Sequence, residues 1–250
     1  MNSFISWVGG KKALRNEVCN RFPEKGIEKY VEVFGGAGWV LFNKDKYATL
    51  EVFNDINSSL VNLYRCMKHH PEAVEKELEG IPNSREVFNS YRELYENSAL
   101  TDIQRAAMYL YIIRTSFGSK TTTFGSKSSY VDNADRFPEI SERLKNVAIE
   151  NKSFENLIKQ YDRTHTLFYC DPPYFGTEHY YDTGETIFGK DMHIMLRDML
   201  KDIKGKCIVS YNDDDFIREL YKDFNIEEVQ RANNLSQNQK PYCELIIKNY

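Results

Sequence analysis

No run of about eighteen apolar residues occurs in this 250-residue chain, so no membrane-spanning helix is expected. Met1 to Gly10 is too short and too polar for the apolar stretch of a secretory signal. Paired cysteines are also lacking: Cys19, Cys66, Cys170, Cys207 and Cys243 are scattered, which excludes a disulfide framework and fits free thiols in a reducing cytoplasm. The five histidines show no metal-ligand spacing, so no metal is expected. An excess of basic charge is missing as well. With 33 Lys and Arg against 37 Asp and Glu the net charge is −4, so contact with nucleic acid would have to come from a local patch. There is no internal repeat and no low-complexity tract. What is present is an ordinary globular composition, 41% hydrophobic and 28% charged, long enough to bury a full core. The aromatic content of 14%, with 17 Tyr and 15 Phe, is high and suits both core packing and stacking on bases.

The residue pattern predicts an α/β fold. Tyr30–Phe34 and Thr49–Phe53 read as strands, Trp39–Asn43 as the start of a helix and Ser58–His69 as an amphipathic helix. This alternation is that of a parallel sheet. From Pro71 to Arg114 helices follow one another, at Pro71–Glu79, Ser84–Glu96 and Thr101–Ile113, with no strand between them. Strands resume at Val147–Glu150, Thr166–Cys170 and Lys206–Ser210, and close near Ile226–Gln230 and Tyr242–Lys248. Helices are expected at Asp191–Ile203 and Asp214–Tyr221. The division is therefore 1–60 with 146–250 as one α/β domain, and 61–145 as a helical insertion.

Phe34-Gly35-Gly36-Ala37-Gly38 follows the first strand and should open a helix whose free N–H groups meet a polar ligand. Asp55 lies twenty residues beyond Gly35 at the end of the next strand, where a carboxylate commonly accepts from ribose hydroxyls. Gly36, Gly38 and Leu41 fill the slots of G-x-G-x-x-G, so a dinucleotide is disfavoured. Taken alone, a tight strand–helix connection with Asp55 as a helix cap reads these residues equally well.

Leu167–Cys170 is an apolar strand that ends in Asp171-Pro172-Pro173-Tyr174. Two prolines stiffen the turn and donate no N–H. A carboxylate, a preset carbonyl and an aromatic ring then meet at the C-terminal edge of a parallel sheet, where α/β proteins bind ligands. That set suits an exocyclic aromatic amine, whose lone pair is delocalised into the ring. Acceptors on both its N–H bonds, the Asp171 carboxylate and the Pro172 carbonyl, draw the nitrogen toward tetrahedral geometry and strengthen as positive charge develops on it. Tyr174 supplies a surface for stacking.

These segments together resemble the Dam-type (D12 class) DNA adenine-N6 methyltransferases over nearly the whole chain. Trp7-Val8-Gly9-Gly10-Lys11 is similar to the family's N-terminal cofactor motif, Phe34–Gly38 to its glycine motif and Asn54-Asp55-Ile56-Asn57 to its second acidic motif. Asp171–Tyr174 matches the catalytic motif letter for letter, and Ser210-Tyr211-Asn212-Asp213 is similar to a later segment beside the active site. The resemblance implies a Rossmann-like S-adenosylmethionine-dependent methyltransferase sheet with an inserted helical target-recognition domain. It also implies base flipping and direct methyl transfer to adenine N6 of double-stranded DNA, with no obligate protein partner. On that resemblance Trp7, Gly10, Lys11, Phe34, Gly35, Gly36, Ala37, Gly38, Asp55 and Asp171 contact the cofactor, Lys11 through its methionine carboxylate. Asp171, Pro172, Pro173 and Tyr174 are the catalytic set, and Asn212 falls with the DNA contacts. The alternatives are methylation of RNA adenine or of cytosine N4, or a catalytically silent DNA-binding regulator.

From Arg114 through Val131 there is no Asp or Glu, while Arg114, Ser116, Lys120 and Lys127 lie among further Ser, Thr and Gly. Hydroxyls and basic groups are what phosphate oxygens need, so this segment is the expected DNA patch. A solvated loop is the plain alternative. Ile113–Phe117 resembles the entry to the family's recognition region, and beyond Phe117 the residues depart from the asparagine-containing pattern of its GATC-specific members. The loop from Phe175 to Lys190, with Tyr180, Tyr181 and Phe188, is a candidate lid.

Overall fold

The computed structural model describes residues 1–125, 136–176, 188–231 and 242–250. Its centre is a seven-stranded sheet made of β1 (Lys29–Glu32), β2 (Leu50–Asn54), β3 (Val147–Glu150), β4 (Thr166–Cys170), β5 (Lys206–Asn212), β6 (Asn225–Arg231) and β7 (Tyr242–Lys248), in the order β3-β2-β1-β4-β5-β7-β6. The five strands from β3 to β5 are parallel, and β7 lies antiparallel between β5 and β6. Every residue of β4 is buried, as a central strand covered on both faces requires. The sheet is that of a Rossmann-like methyltransferase. The strand order reverses between β1 and β4, which opens a crevice at their C-terminal ends.

Two-residue periodicity sorts the core into two layers. Tyr30, Phe53, Leu167 and Tyr169 face one side, where they pack with Leu60, Tyr64, Leu110 and Tyr111 of α2 (Ser58–His69) and α5 (Asp102–Thr115). Val31, Val52, Phe168 and Val209 face the other, against α7 (Phe154–Tyr161), α8 (Lys190–Asp202) and α9 (Asp215–Leu220). Between β2 and β3 the chain also forms α3 (Pro71–Leu78), α4 (Arg85–Leu94) and α6 (Phe137–Leu144). α5 starts on a capping box: the Thr101 hydroxyl accepts from Gln104 N, and Gln104 Oε1 accepts from Thr101 N.

Most elements lie where the sequence pattern places them, within a residue or two. Among the described residues, three helices go beyond the sequence pattern: α1 (Arg15–Cys19), α6 and α7. The helix expected from Trp39 is only a short 3-10 turn, Leu41–Asn43. Gly36 and Gly38 take positive φ and Lys44 is extended, so the chain leaves the helical region on both sides of that turn.

Candidate active site

The glycine turn is fixed by contacts that only glycine allows. A Cβ on Gly35 would lie 2.3 Å from the Phe53 ring, and Gly35 N donates to Asn54 O at 2.7 Å. Gly36, at φ +50°, donates its N–H to Asp55 Oδ2 at 2.9 Å. Asp55 Oδ1 accepts from Asn57 N, also at 2.9 Å. Asp55 thus ties the turn to the entry of α2 while it lines the crevice. Burial raises its carboxyl pKa, against the lowering effect of the Asn57, Gly36 and Ile56 amides. With no α-helix after Gly38, the expected helix N-terminus is replaced by the amides of the turn itself.

The crevice encloses about 770 Å³ of empty space including its open mouth. Trp7, Gly10, Lys11, Phe34, Gly35, Gly36, Ala37, Gly38, Asp55, Asp171 and Pro173 all line it, so segments far apart in sequence converge on one cavity. Phe188, from the loop singled out as a lid, also lines it; Tyr180 and Tyr181 lie outside the described residues.

Asp171 stands at the end of β4. Its Oδ1 accepts from Lys11 Nζ at 2.7 Å and from Ser210 Oγ at 2.9 Å. Lys11 is 5% exposed and is no solvated lysine: Nζ also donates to Gly9 O at 2.8 Å and lies 4.4 Å from the centre of the Tyr174 ring. Burial raises the Asp171 carboxyl above its ordinary pKa; Lys11 and Ser210 pull it down and Glu244 pushes it up. Pro172 and Pro173 are buried, and the Tyr174 hydroxyl donates to Glu244 Oε2 at 2.5 Å. Cys170 is buried, its thiol pKa driven well above the ordinary value by desolvation.

Two acids escaped the sequence reading. Glu32, on β1, is buried, lines the crevice and accepts from the Tyr30 hydroxyl at 2.7 Å; burial pushes its carboxyl up to about 8. Glu244, on β7, is 6% exposed. The available signal was a lone acid within an apolar strand, Tyr-Val-Glu-Val and Cys-Glu-Leu-Ile, since charged residues are rarely buried unless paired.

The expected DNA contacts separate. Arg114 turns inward: Nη2 donates to Phe4 O at 3.2 Å, the guanidinium lies 5.3 Å from the Phe137 ring, and desolvation lowers its pKa to about 10. Ser116 is fully buried and its hydroxyl donates to Ile113 O, so it offers no hydroxyl to a phosphate. Lys120 is exposed, and Lys127 lies outside the described residues. Asn212, at the end of β5, donates from Nδ2 to Phe175 O at 3.3 Å. Arg85 and Arg92 of α4, which no sequence motif singles out, are exposed. Arg85 lies 5.0 Å from the Phe124 ring and Arg92 Nη1 donates to Thr122 O, so both come beside the 116–125 segment. Phe117 there is 71% exposed.

The sequence model of the D12 class N6 adenine-specific DNA methyltransferases matches residues 7–235. The type II methyltransferase M1.LlaDCHI of Lactococcus lactis subsp. cremoris is 29% identical, with 100% of this chain and 96% of that protein covered. Type II methyltransferase M.CviBI of Paramecium bursaria Chlorella virus NC1A is 26% identical, with 88% and 86% covered. The DNA adenine methylase of Escherichia coli K12 is 27% identical, with 94% and 90% covered. The chain belongs to the D12 class of N6 adenine-specific DNA methyltransferases, enzymes that methylate adenine in DNA.

Proposed function

We propose that the crevice binds S-adenosylmethionine and that Asp171–Tyr174 receives an adenine turned out of double-stranded DNA for direct methylation at N6. The observation that carries this reading is the Asp171 carboxylate at the crevice, whose Oδ1 already holds a cationic amine, Lys11 Nζ, at 2.7 Å, with that amine 4.4 Å from the centre of the Tyr174 ring. The lining fits the cofactor. A carboxylate, Asp55, a lysine, Lys11, and the aromatic Trp7 line the crevice together, and Gly10 and Gly36 let the Trp39 and Trp7 rings pack against its backbone, where a Cβ would lie 2.9 Å from Trp39 Nε1 and from Trp7 Cδ1. Asp55 would hold the ribose, Trp7 would pack on apolar parts, and Lys11 would meet the carboxylate end. When bound, S-adenosylmethionine supplies an electrophilic methyl group on a sulfonium.

The chain's own residues account for the rest. Asp171 and the Pro172 carbonyl accept the two N–H bonds of the adenine amine, and Ser210 holds the carboxylate in place. Lys11 must release Asp171 Oδ1 as the amine arrives, which leaves its charge for the cofactor. With the methyl group supplied by the cofactor, Asp171 would accept the proton that the amine nitrogen sheds on methylation. Tyr174 stacks on the base; such stacking is worth about 1–3 kcal/mol. Arg85, Lys120 and Phe117 form the face turned to DNA, within residues 61–145 as the target-recognition part.

The test is incubation of purified protein with tritiated S-adenosylmethionine and unmethylated duplex DNA, followed by nucleoside analysis. N6-methyladenine is expected from the wild type, with a loss of at least about 10²-fold in Asp171→Ala at unchanged melting temperature. Label on cytosine, or full activity in that variant, overturns the proposal.

A further inference from the structure

We propose that Glu244 is a positioning residue for methyl transfer: it grips the Tyr174 hydroxyl and thereby fixes the ring on which the target adenine stacks. This rests on the reading of Asp171–Tyr174 as the reacting site. Glu244 lies beyond residue 235, where the match to the family's sequence model stops.

β7 is antiparallel to the rest of the sheet's core strands, so its first residues, not its last, reach the edge where β4 and β5 end. Glu244 is placed there, opposite Asn212 of β5. A carboxylate that is 6% exposed is costly to bury without a donor, and the Tyr174 hydroxyl supplies one at 2.5 Å. The Tyr174 ring is held at its hydroxyl by Glu244 and lies 6.1 Å, centre to centre, from the Tyr211 ring, with the Lys11 ammonium 4.4 Å from its centre before the base enters. A Tyr side chain has two principal torsions, and tethering the far oxygen removes the swing of the ring that both torsions would otherwise allow. Asp171 and Tyr174 belong to one stiff four-residue turn, so the ring plane and the acceptor for the amine are set together. Loss of the tether leaves the acceptor in place and the stacking surface loose, and misplacement of a reacting group by about 1 Å can cost about 10²-fold in rate.

The experiment compares Glu244→Ala, Glu244→Gln, Tyr174→Phe and the double variant Glu244→Ala/Tyr174→Phe in single-turnover methyl transfer at saturating DNA and cofactor. Cofactor affinity and melting temperature are measured alongside. Glu244→Ala is expected to slow transfer by about ten-fold or more without weakening cofactor binding. Tyr174→Phe is expected to slow it comparably, and the double variant no further, because both changes break one contact. Glu244→Gln, whose amide oxygen still accepts from the hydroxyl, should recover part of the loss. Wild-type rates in Glu244→Ala, multiplying losses in the double variant, or a Gln variant no better than Ala each overturn the proposal. Should Glu244→Ala fail to fold, Tyr174→Phe and Glu244→Gln keep the side-chain volumes and carry the test: the Phe variant must be the slower. Asp171→Ala separates the two claims. Activity in that variant removes the site itself, whereas an inactive Asp171→Ala beside a fully active Glu244→Ala removes only the positioning role.

Discussion

Asp171 is pulled two ways, and its chemistry depends on the balance. Burial raises its carboxyl pKa, and the Lys11 ammonium at 2.7 Å is the main opposing influence. Accepting an amine proton requires the carboxylate, so the rate of methyl transfer should fall on the acid side at a pH above the ordinary Asp range. Lys11→Met removes the opposing charge and should move that acid limb to higher pH, while Lys11→Arg should leave it nearer the wild-type position. Rates across pH at subsaturating DNA, which report the groups of the protein before the base enters, check this, and coincident limbs for wild type and Lys11→Met would refute it. Glu32 gives a stability prediction of definite sign. Its folded carboxyl is pushed from 4.5 up to about 8, so its contribution to stability is fully present below 4.5 and is lost as pH rises through about 8. Within that window the wild type should lose up to about 1.4 kcal/mol per pH unit from this group. Glu32→Gln, which can still accept from the Tyr30 hydroxyl, should flatten the slope in urea titrations between these limits; a parallel slope in both proteins would count against the assignment.

Asn54 shows how strand ends are locked together to hold the crevice. Its Nδ2 donates to Val33 O at 2.9 Å and Lys152 O at 3.0 Å, and its Oδ1 accepts from Lys152 N at 2.9 Å. Three backbone groups near the ends of β1 and β3 thus depend on one amide. Asn54→Ala should cost about 3 kcal/mol, the scale of leaving buried backbone groups unpaired, and should raise the KM for cofactor because the glycine turn hangs from the same strand end. Denaturant midpoints and cofactor titration check both parts. The periodicities of these elements were plain in the sequence. Ser58–His69, Val147–Glu150, Thr166–Cys170 and Tyr242–Lys248 carry their apolar spacing within their own residues. The failures also have physical causes. Trp39–Asn43 is apolar enough for a helix, but Gly36, Gly38 and Lys44 adopt backbone angles that sequence spacing does not encode. Phe154–Tyr161 follows only a short polar stretch after β3, and its apolar face becomes evident only against β1 and β4. The crevice was legible because parallel strands place their C-terminal residues at one edge. Glu244 was not, because it sits near the start of an antiparallel strand whose register no local pattern fixes.

The whole molecule is acidic yet acts on a polyanion, so its contact with DNA has to be small and sharply placed. The fold separates the side chains that the sequence groups in one stretch: Arg114 and Ser116 turn inward while Lys120 stays exposed. Arg114 had the charge expected of a phosphate contact, but its guanidinium is drawn inward by the Phe4 carbonyl and the Phe137 ring, partners more than twenty residues away. Arg85 and Arg92 belong to another helix and reach the segment only through folding. Each side chain that neutralises a phosphate releases condensed counterions, and its removal should reduce the slope of log affinity against log salt by about 0.9. Arg85→Ala and Lys120→Ala are therefore each expected to weaken DNA binding across sequences and to flatten that slope by about this amount. Arg114→Ala should leave the slope alone and lower the melting temperature, since it unpairs the Phe4 carbonyl and strips a cation from an aromatic face. Fluorescence anisotropy of a labelled duplex over a range of salt, with melting curves for the same three variants, distinguishes the groups. A flattened slope in Arg114→Ala with unchanged melting would mean that this arginine swings out to meet DNA, and that the inward contact belongs to the free protein alone.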